Sequence, residues 1–224
     1  MNGILSLVLF ILEVIILLTI KRKAKNHKYL SYLLVLVFLL LSYQLSEFLI
    51  CNTSYGDIIV KLGFVAISFL PPVGHHFSAK LIKRKIPDYY LSYIAGMSFA
   101  IYFAFIPNTL TVISCNPVYA VYTQYPNYRY SIFYFGVILY SIFLLSFAIL
   151  RKSPNIDHIY VKMMLLGYIL FLLPMIILVT IDLFFLRTVT SIMCKFAFLL
   201  ACTMLSIALR EETSYVRKVR LVDF

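Results

Sequence analysis

Charge is what this sequence most lacks. Of its 224 residues only 13% are Asp, Glu, Lys or Arg, while 62% are hydrophobic. Soluble domains carry about 25% charged and about 45–50% apolar residues. The shortage excludes a soluble globular domain, and the apolar excess excludes disorder, which needs low hydrophobicity. Negative charge is the scarcer sign: nine acidic residues face twenty basic ones, a net +11. Glycine is rare, with seven residues and no GxxxG, and tryptophan is absent. Without GxxxG, helix packing is expected to fall to Ser, Ala and Thr. No GxSxG, HExxH, Walker sequence, Gly-rich phosphate loop or kinase signature occurs. The enzyme classes those motifs mark therefore find no support.

Apolar runs fill the chain instead. A membrane-crossing helix needs about 20 mostly apolar residues, within a range of about 17–25. Seven runs qualify: 4–20, 30–50, 58–82, 89–106, 131–150, 160–181 and 188–209. Nothing basic precedes the first, Glu13 interrupts it, and Lys21-Arg22-Lys23 follows it. It reads as an anchored span, not a cleaved leader. Segments 21–29, 83–88, 151–159 and 210–224 hold 14 basic residues, and the alternate set holds only Arg129 and Arg187. Positive loops stay in the cytosol. The expected fold is an all-α membrane protein, a seven-transmembrane helix bundle over 1–209. Its N-terminus is outside, and a short basic cytosolic tail covers 210–224. The expected location is the cell membrane, multi-pass. The positive charge orients the chain and meets anionic headgroups, so the expected partner is the lipid bilayer and not nucleic acid.

Charged groups inside a bilayer are costly and mark function by default. Glu13, Glu47, Lys61 and Lys195 lie deep enough to qualify. Glu13 and Lys195 fall at similar depth on the first and last spans, which makes them a candidate ion pair. Glu47 and Lys61 flank one short outer loop and form a second. Tyr43, Ser46 and Glu47 share a helix face, as do Lys61, Ser68 and His75 at seven-residue spacing. With the stripe on the last span, these residues are expected to line a cavity open to the outside near Glu47, Lys61 and Asp182. The candidate ligand-binding set is Glu13, Tyr43, Glu47, Lys61, Ser68, Asp182 and Lys195.

The third span carries Pro71-Pro72 with His75-His76 just beyond. Two prolines remove two backbone donors and force a kink; Pro174 predicts another in the sixth span. His75 and His76 are candidates for a proton relay or pH sensing, since imidazole titrates near neutrality. Adjacent residues project about 100° apart on a helix, so they do not chelate one metal. No metal site or cofactor is expected. Residues 107–130 form the one long outer loop, rich in Tyr, Pro and Asn. Such a loop reads as a lid or binding element, or its aromatics as an interfacial belt. Cys51 and Cys115 both fall on the outer side and are candidates for a disulfide in an oxidising compartment.

The layout resembles the N-terminal seven-transmembrane sensor region of bacterial and archaeal histidine kinases. The residues that carry the likeness are Phe69-Leu70-Pro71-Pro72, Phe77-Ser78-Ala79-Lys80, Ile106-Pro107-Asn108-Thr109, the proline-bearing sixth span ending at Asp182, and Ala208-Leu209-Arg210. The resemblance spans essentially the whole chain and implies a sensory fold with its N-terminus outside. The chain departs from the pattern in lacking Trp, in placing His75-His76 at positions expected to be apolar, and in carrying no phosphoacceptor helix or ATP-binding domain up to Phe224. Kinase activity is therefore not carried over. The leading expectation is a sensor or receptor-like module that binds a small molecule in the outer half of the bundle. It would signal through the last span to a separate cytosolic or membrane partner, with kinks at Pro71, Pro72 and Pro174 as moving parts. The alternatives are a transporter or channel-like protein using intramembrane Glu and Lys, and a membrane-embedded hydrolase using His75 or His76.

Overall fold

The computed structural model describes residues 3–23, 28–84, 87–118, 120–124, 127–151, 156–181 and 189–222. It contains α1 (Ile4–Lys23), α2 (Leu30–Ile50), α3 (Gly56–Ser68), α4 (Leu70–Leu81), α5 (Tyr89–Phe105), α6 (Asn127–Leu150), α7 (His158–Ile181) and α8 (Val189–Val222). Between α5 and α6 lie two strands, β1 (Leu110–Cys115) and β2 (Ala120–Gln124). Among the described residues, six helical segments are long and apolar enough to cross a membrane, counting Gly56–Leu81 as one across the junction of α3 and α4; α5 is shorter. The protein is an all-α membrane bundle, multi-pass, with one small β-hairpin.

The helices pack as a ring that closes where α8 meets α1 and α2. The α3–α4 segment is its most buried member, and α4 touches α2, α5, α6 and α7. Helix α1 shows how little need be buried when lipid is the solvent. Only Ser6, Leu9, Glu13, Ile16 and Ile20 are covered. Their spacing of three and four keeps them on one narrow face, and apolar residues such as Ile11 and Ile15 face outward.

The expected kink in the third span is a break at Phe69, and Pro71 and Pro72 stand in the first turn of α4. A proline there forfeits no helical bond that α4 itself requires, but Pro72 leaves the Ser68 carbonyl without its usual donor. Helix α5 closes over that point. A Cβ on Gly96 would stand 2.8 Å from the Ser68 oxygen and 2.9 Å from Pro72, so only glycine fits. Gly74 similarly admits the Tyr168 hydroxyl, which a Cβ would meet at 2.6 Å. Packing thus relies on isolated glycines as well as on Ser, Ala and Thr. Pro174 stays within a continuous α7.

The long loop expected over 107–130 is largely an antiparallel hairpin, Leu110 pairing Gln124 and Cys115 pairing Ala120, with an irregularity between Val112 and Ser114. Cys51 and Cys115 are joined, tying the end of α2 to β1 across 64 residues. The Gly3 N–H donates to the Asn116 carbonyl at 3.0 Å, so the start of α1 is fastened to the same hairpin. Leu110 and Ala120 are buried: the hairpin caps one end of the bundle. Basic residues Lys21, Lys28, Lys83, Arg84 and Arg151 gather at the other end.

Helix α4 ends with the Arg84 N–H on the Ala79 carbonyl at 2.9 Å and the Lys83 N–H on the Lys80 carbonyl at 3.2 Å. This is a Schellman arrangement, which puts Lys83 at φ +51°. Glycine normally fills that position, and a residue with a Cβ costs roughly 1–2 kcal/mol there. Helix α8 runs on through the segment expected to be a tail, for 34 residues in all. That is about 50 Å at about 1.5 Å per residue, against a hydrocarbon thickness of about 30 Å.

Candidate functional site

Two polar clusters lie in the bundle, one near each end. The first sits below the hairpin where α1, α2 and α8 meet. Lys195 Nζ lies 2.9 Å from Glu47 Oε2, with Lys195 10% and Glu47 1% exposed. The Ser191 hydroxyl donates to Glu47 Oε1, and Lys195 Nζ donates to Ser6 Oγ at 2.5 Å. Ser191 and Lys195 are one turn apart on α8, so both reach the same carboxylate. Gln44 lies on the face of α2 that carries Glu47, and its Nε2 donates to the Cys194 carbonyl. The hairpin closes the cluster from above: the Ala120 N–H donates to Ser191 Oγ at 3.0 Å.

Lys195 therefore pairs with Glu47 and not with Glu13. The reason is depth. Glu13 sits nearly two turns below Ser6 on α1, and Ser6 already takes the Lys195 ammonium. Glu13 is fully buried, and among the described residues neither of its oxygens has a hydrogen-bond partner. The field of Lys195 still reaches it.

The proposed Glu47–Lys61 pair is likewise absent. Lys61 turns instead to the carbonyl of Ile106, 3.3 Å away, at the C-terminal end of α5. A cation is favourable at the negative end of a helix dipole, and that carbonyl lacks an intrahelical donor. Tyr43 is buried, edge-on to Phe64. The Ser68 hydroxyl bonds the Phe64 carbonyl within its own helix at 2.8 Å. Helix α1 replaces α3 in the cluster, and among the described residues Glu47 and Lys195 are enclosed, not open to the outside. Asp182 lies outside the described residues. Ser6 and Gln44 were missed as members, although Ser6 is seven residues from Glu13 and Gln44 three from Glu47, spacings that share a face.

The second cluster surrounds the histidines at the basic end. His75 Nδ1 lies 3.3 Å from Ser92 Oγ, and its Nε2 is 3.7 Å from Asp88 Oδ1. Asp88 also holds Arg84 at 2.9 Å and accepts the Tyr140 hydroxyl at 2.7 Å. His76 points elsewhere: it lies 3.0 Å from the Tyr32 hydroxyl and stacks on Tyr89 at 3.8 Å between centroids. The two imidazoles thus serve separate neighbourhoods, as their angular offset requires. Ser92, His75 and Asp88 follow the order of a nucleophile relay, but the chemistry fails on two counts. The Ser92 proton is donated to the Tyr89 carbonyl at 2.7 Å, and Asp88 Oδ1 stands 3.7 Å from the imidazole, beyond hydrogen-bond distance, while its Oδ2 takes Arg84 and Tyr140. Among the described residues no group of three His, Cys, Asp or Glu side chains is placed to hold a metal.

Among the described residues, only the first of the two clusters contains a fully buried ionisable group without a hydrogen-bond partner, and it is the better candidate for a ligand site. Compared with known proteins, the chain matches no family model, no curated protein and no solved structure.

Proposed function

We propose that the protein is a seven-span membrane sensor. It binds a small molecule at the Glu47–Lys195–Glu13 cluster and passes the occupancy of that site along α8 to a separate partner. The carrying observation is continuity. Helix α8 supplies Ser191 and Lys195 to the cluster and then runs unbroken to Val222, well past the thickness of a bilayer. A shift at Lys195 is therefore delivered by one rigid rod to the far side. The closed cluster supplies a two-state element: exchanging Lys195 between Glu47 and the unpartnered Glu13 would rotate or slide α8 against α1 and α2. A ligand bearing a hydrogen-bond donor or a positive charge would satisfy Glu13. The resemblance to histidine-kinase sensor regions agrees with this reading.

The orientation in this proposal places the hairpin outside and the basic end in the cytosol of a cell-membrane protein. Support comes from the Cys51–Cys115 bond, which an oxidising compartment favours, and from the concentration of lysine and arginine at the other end. Helix α5 counts as the seventh span. Its start neighbours Arg84 and its end takes Lys61 at the hairpin side, so it joins the two ends despite its length. A second reading, ion or proton movement through the bundle, has one specific observation in its favour: the orphan carboxylate of Glu13.

The two readings part in one experiment. A spin label at Ser214→Cys on the α8 extension reports its position in liposomes. Lys195→Met should shift the label's distance distribution without loss of insertion. A label indifferent to Lys195→Met and Glu47→Gln would remove the sensor reading. Ion flux lost on Glu13→Gln would establish the second.

A further inference from the structure

The strained Lys83 lines a groove at the basic end. This groove, of about 730 Å³, opens between the start of α2, the end of α4 and the start of α7. Lys28, Lys83 and Lys162 reach it from three segments distant in sequence, with His158 and Asp157 beside them. Three lysines less one aspartate leave a net charge of +2 before His158 is counted. The floor is apolar, formed by the buried Tyr29 and Leu81. Lys28 Nζ lies 4.7 Å from the centre of the Tyr29 ring, which holds that ammonium over the floor.

Generic positive charge at a membrane face asks only for exposed lysines, placed anywhere. Lys83 is not placed anywhere. It occupies the one position of the α4 terminus where glycine is the unstrained residue, and there its side chain joins Lys28 and Lys162. Strain of this kind persists where the surrounding structure gains from it.

We propose that the groove is a binding site for a phosphate monoester, with the ammonium groups of Lys28, Lys83 and Lys162 around the phosphate. A monoester carries about −1.5 to −2 charges at neutral pH, which matches the groove; a phosphodiester carries less. The apolar floor beside the charge favours a phosphate borne on a lipid, with the first part of the lipid chain against Tyr29 and Leu81. The site is separate from the Glu47–Lys195 cluster and stands or falls independently of the sensor reading.

The test uses the full chain in detergent and native mass spectrometry, titrated with phosphatidic acid, phosphatidylcholine or inorganic phosphate. Phosphatidic acid should bind in preference to phosphatidylcholine. A lysine beside a lipid phosphate contributes about fivefold in affinity. Lys83→Gly should therefore weaken phosphatidic acid about fivefold, and the triple change to glutamine at 28, 83 and 162 about a hundredfold. Because glycine relieves the backbone, Lys83→Gly should melt no lower than the parent, so weakened binding cannot be blamed on misfolding. Lys21→Gln with Arg22→Gln, at the same membrane face, should leave binding within twofold. Saturable binding of inorganic phosphate, lost in the triple variant, would identify the free ion as the source; binding of the lipid alone would identify the headgroup. Equal losses in the Lys21/Arg22 variant, or a triple variant that binds like the parent, overturn the proposal.

Discussion

The hairpin-end cluster and the basic-end cluster use the same chemistry to different effect. Each has a carboxylate, a cation and hydroxyls at hydrogen-bonding distance. Glu47 and Lys195 are enclosed by α1, α2, α8 and the hairpin, at 1% and 10% exposure. Arg84 and Asp88 stand one turn apart at the mouth of α5, at 24% and 16%. Burial, not pairing, separates them. A charge left alone in a dry core has no water to replace its partner, so the loss is large. A charge at the rim recovers solvation when its partner goes, so the loss is small. On the proposed reading, the enclosed cluster is therefore the one at which a ligand would act.

The largest effect should come from breaking the enclosed pair. Lys195→Ala should destabilise the bundle by about 3–5 kcal/mol, because the buried Glu47 loses its cation. Urea or SDS unfolding in micelles reads the change. Adding Glu47→Leu to Lys195→Met should recover most of it, since buried pairs are often replaceable by packed apolar groups. A neutral Lys195→Ala would erase the contrast between the clusters.

The hairpin that seals the first cluster is the next target. Cys51→Ser opens a link between residues 64 apart, and disulfides of this kind contribute about 2–4 kcal/mol. Reductant should reproduce the effect in the parent and do nothing further in the variant. The Glu47–Lys195 pair should at the same time become accessible to water, read as faster amide exchange at Ser191 and Lys195. If exchange there does not change, the hairpin is an ornament of the outer face and not its seal.

Glu13 sharpens the comparison by inverting the sign. Among the described residues its carboxylate has no hydrogen-bond partner, and a buried polar group lacking a hydrogen bond costs about 1–3 kcal/mol. Glu13→Leu should therefore stabilise the ligand-free protein by about that amount, while Glu13→Gln changes it less. A residue kept at the expense of stability fits one retained for binding. Destabilisation on Glu13→Leu would mean that Glu13 has a structural partner.

The fold was more legible in the sequence than the site, and the reason is physical. Lipid selects residues by composition, so the run 30–50 and helix α2, Leu30–Ile50, coincide. The hairpin left a signal that its Tyr, Pro and Asn content obscured. Thr111-Val112-Ile113 and Val121-Tyr122-Thr123 are β-branched and aromatic runs on either side of Pro117, which is a strand–turn–strand pattern. The extension of α8 was legible too, as 210–222 holds no Gly or Pro to stop a helix. The pairings were not. Depth along a helix can be counted, but its rotation and its neighbours are settled by packing. Counting placed Lys195 and Glu13 at similar depth, but the ammonium lies level with Ser6, nearly two turns from Glu13 on α1. The break at Phe69, by contrast, was announced by Pro71-Pro72 to within two residues.

The smallest effect separates the clusters most cleanly. Arg84→Ala removes a rim cation from Asp88, which keeps the Tyr140 hydroxyl at 2.7 Å. The expected loss is below about 1 kcal/mol. Its dependence on salt matters more than its size. Exposed charges are screened over about 8 Å at physiological ionic strength and over about 3 Å at 1 M. The Arg84→Ala difference should therefore shrink toward zero in high salt. The Lys195→Ala difference should persist, because ions do not enter the space that α1, α2 and α8 enclose. Parallel unfolding curves at low and high salt for both variants decide it. Should both differences vanish together, the Glu47–Lys195 pair is reached by solvent and the two clusters are alike; should only the first vanish, enclosure is the property that distinguishes the hairpin end.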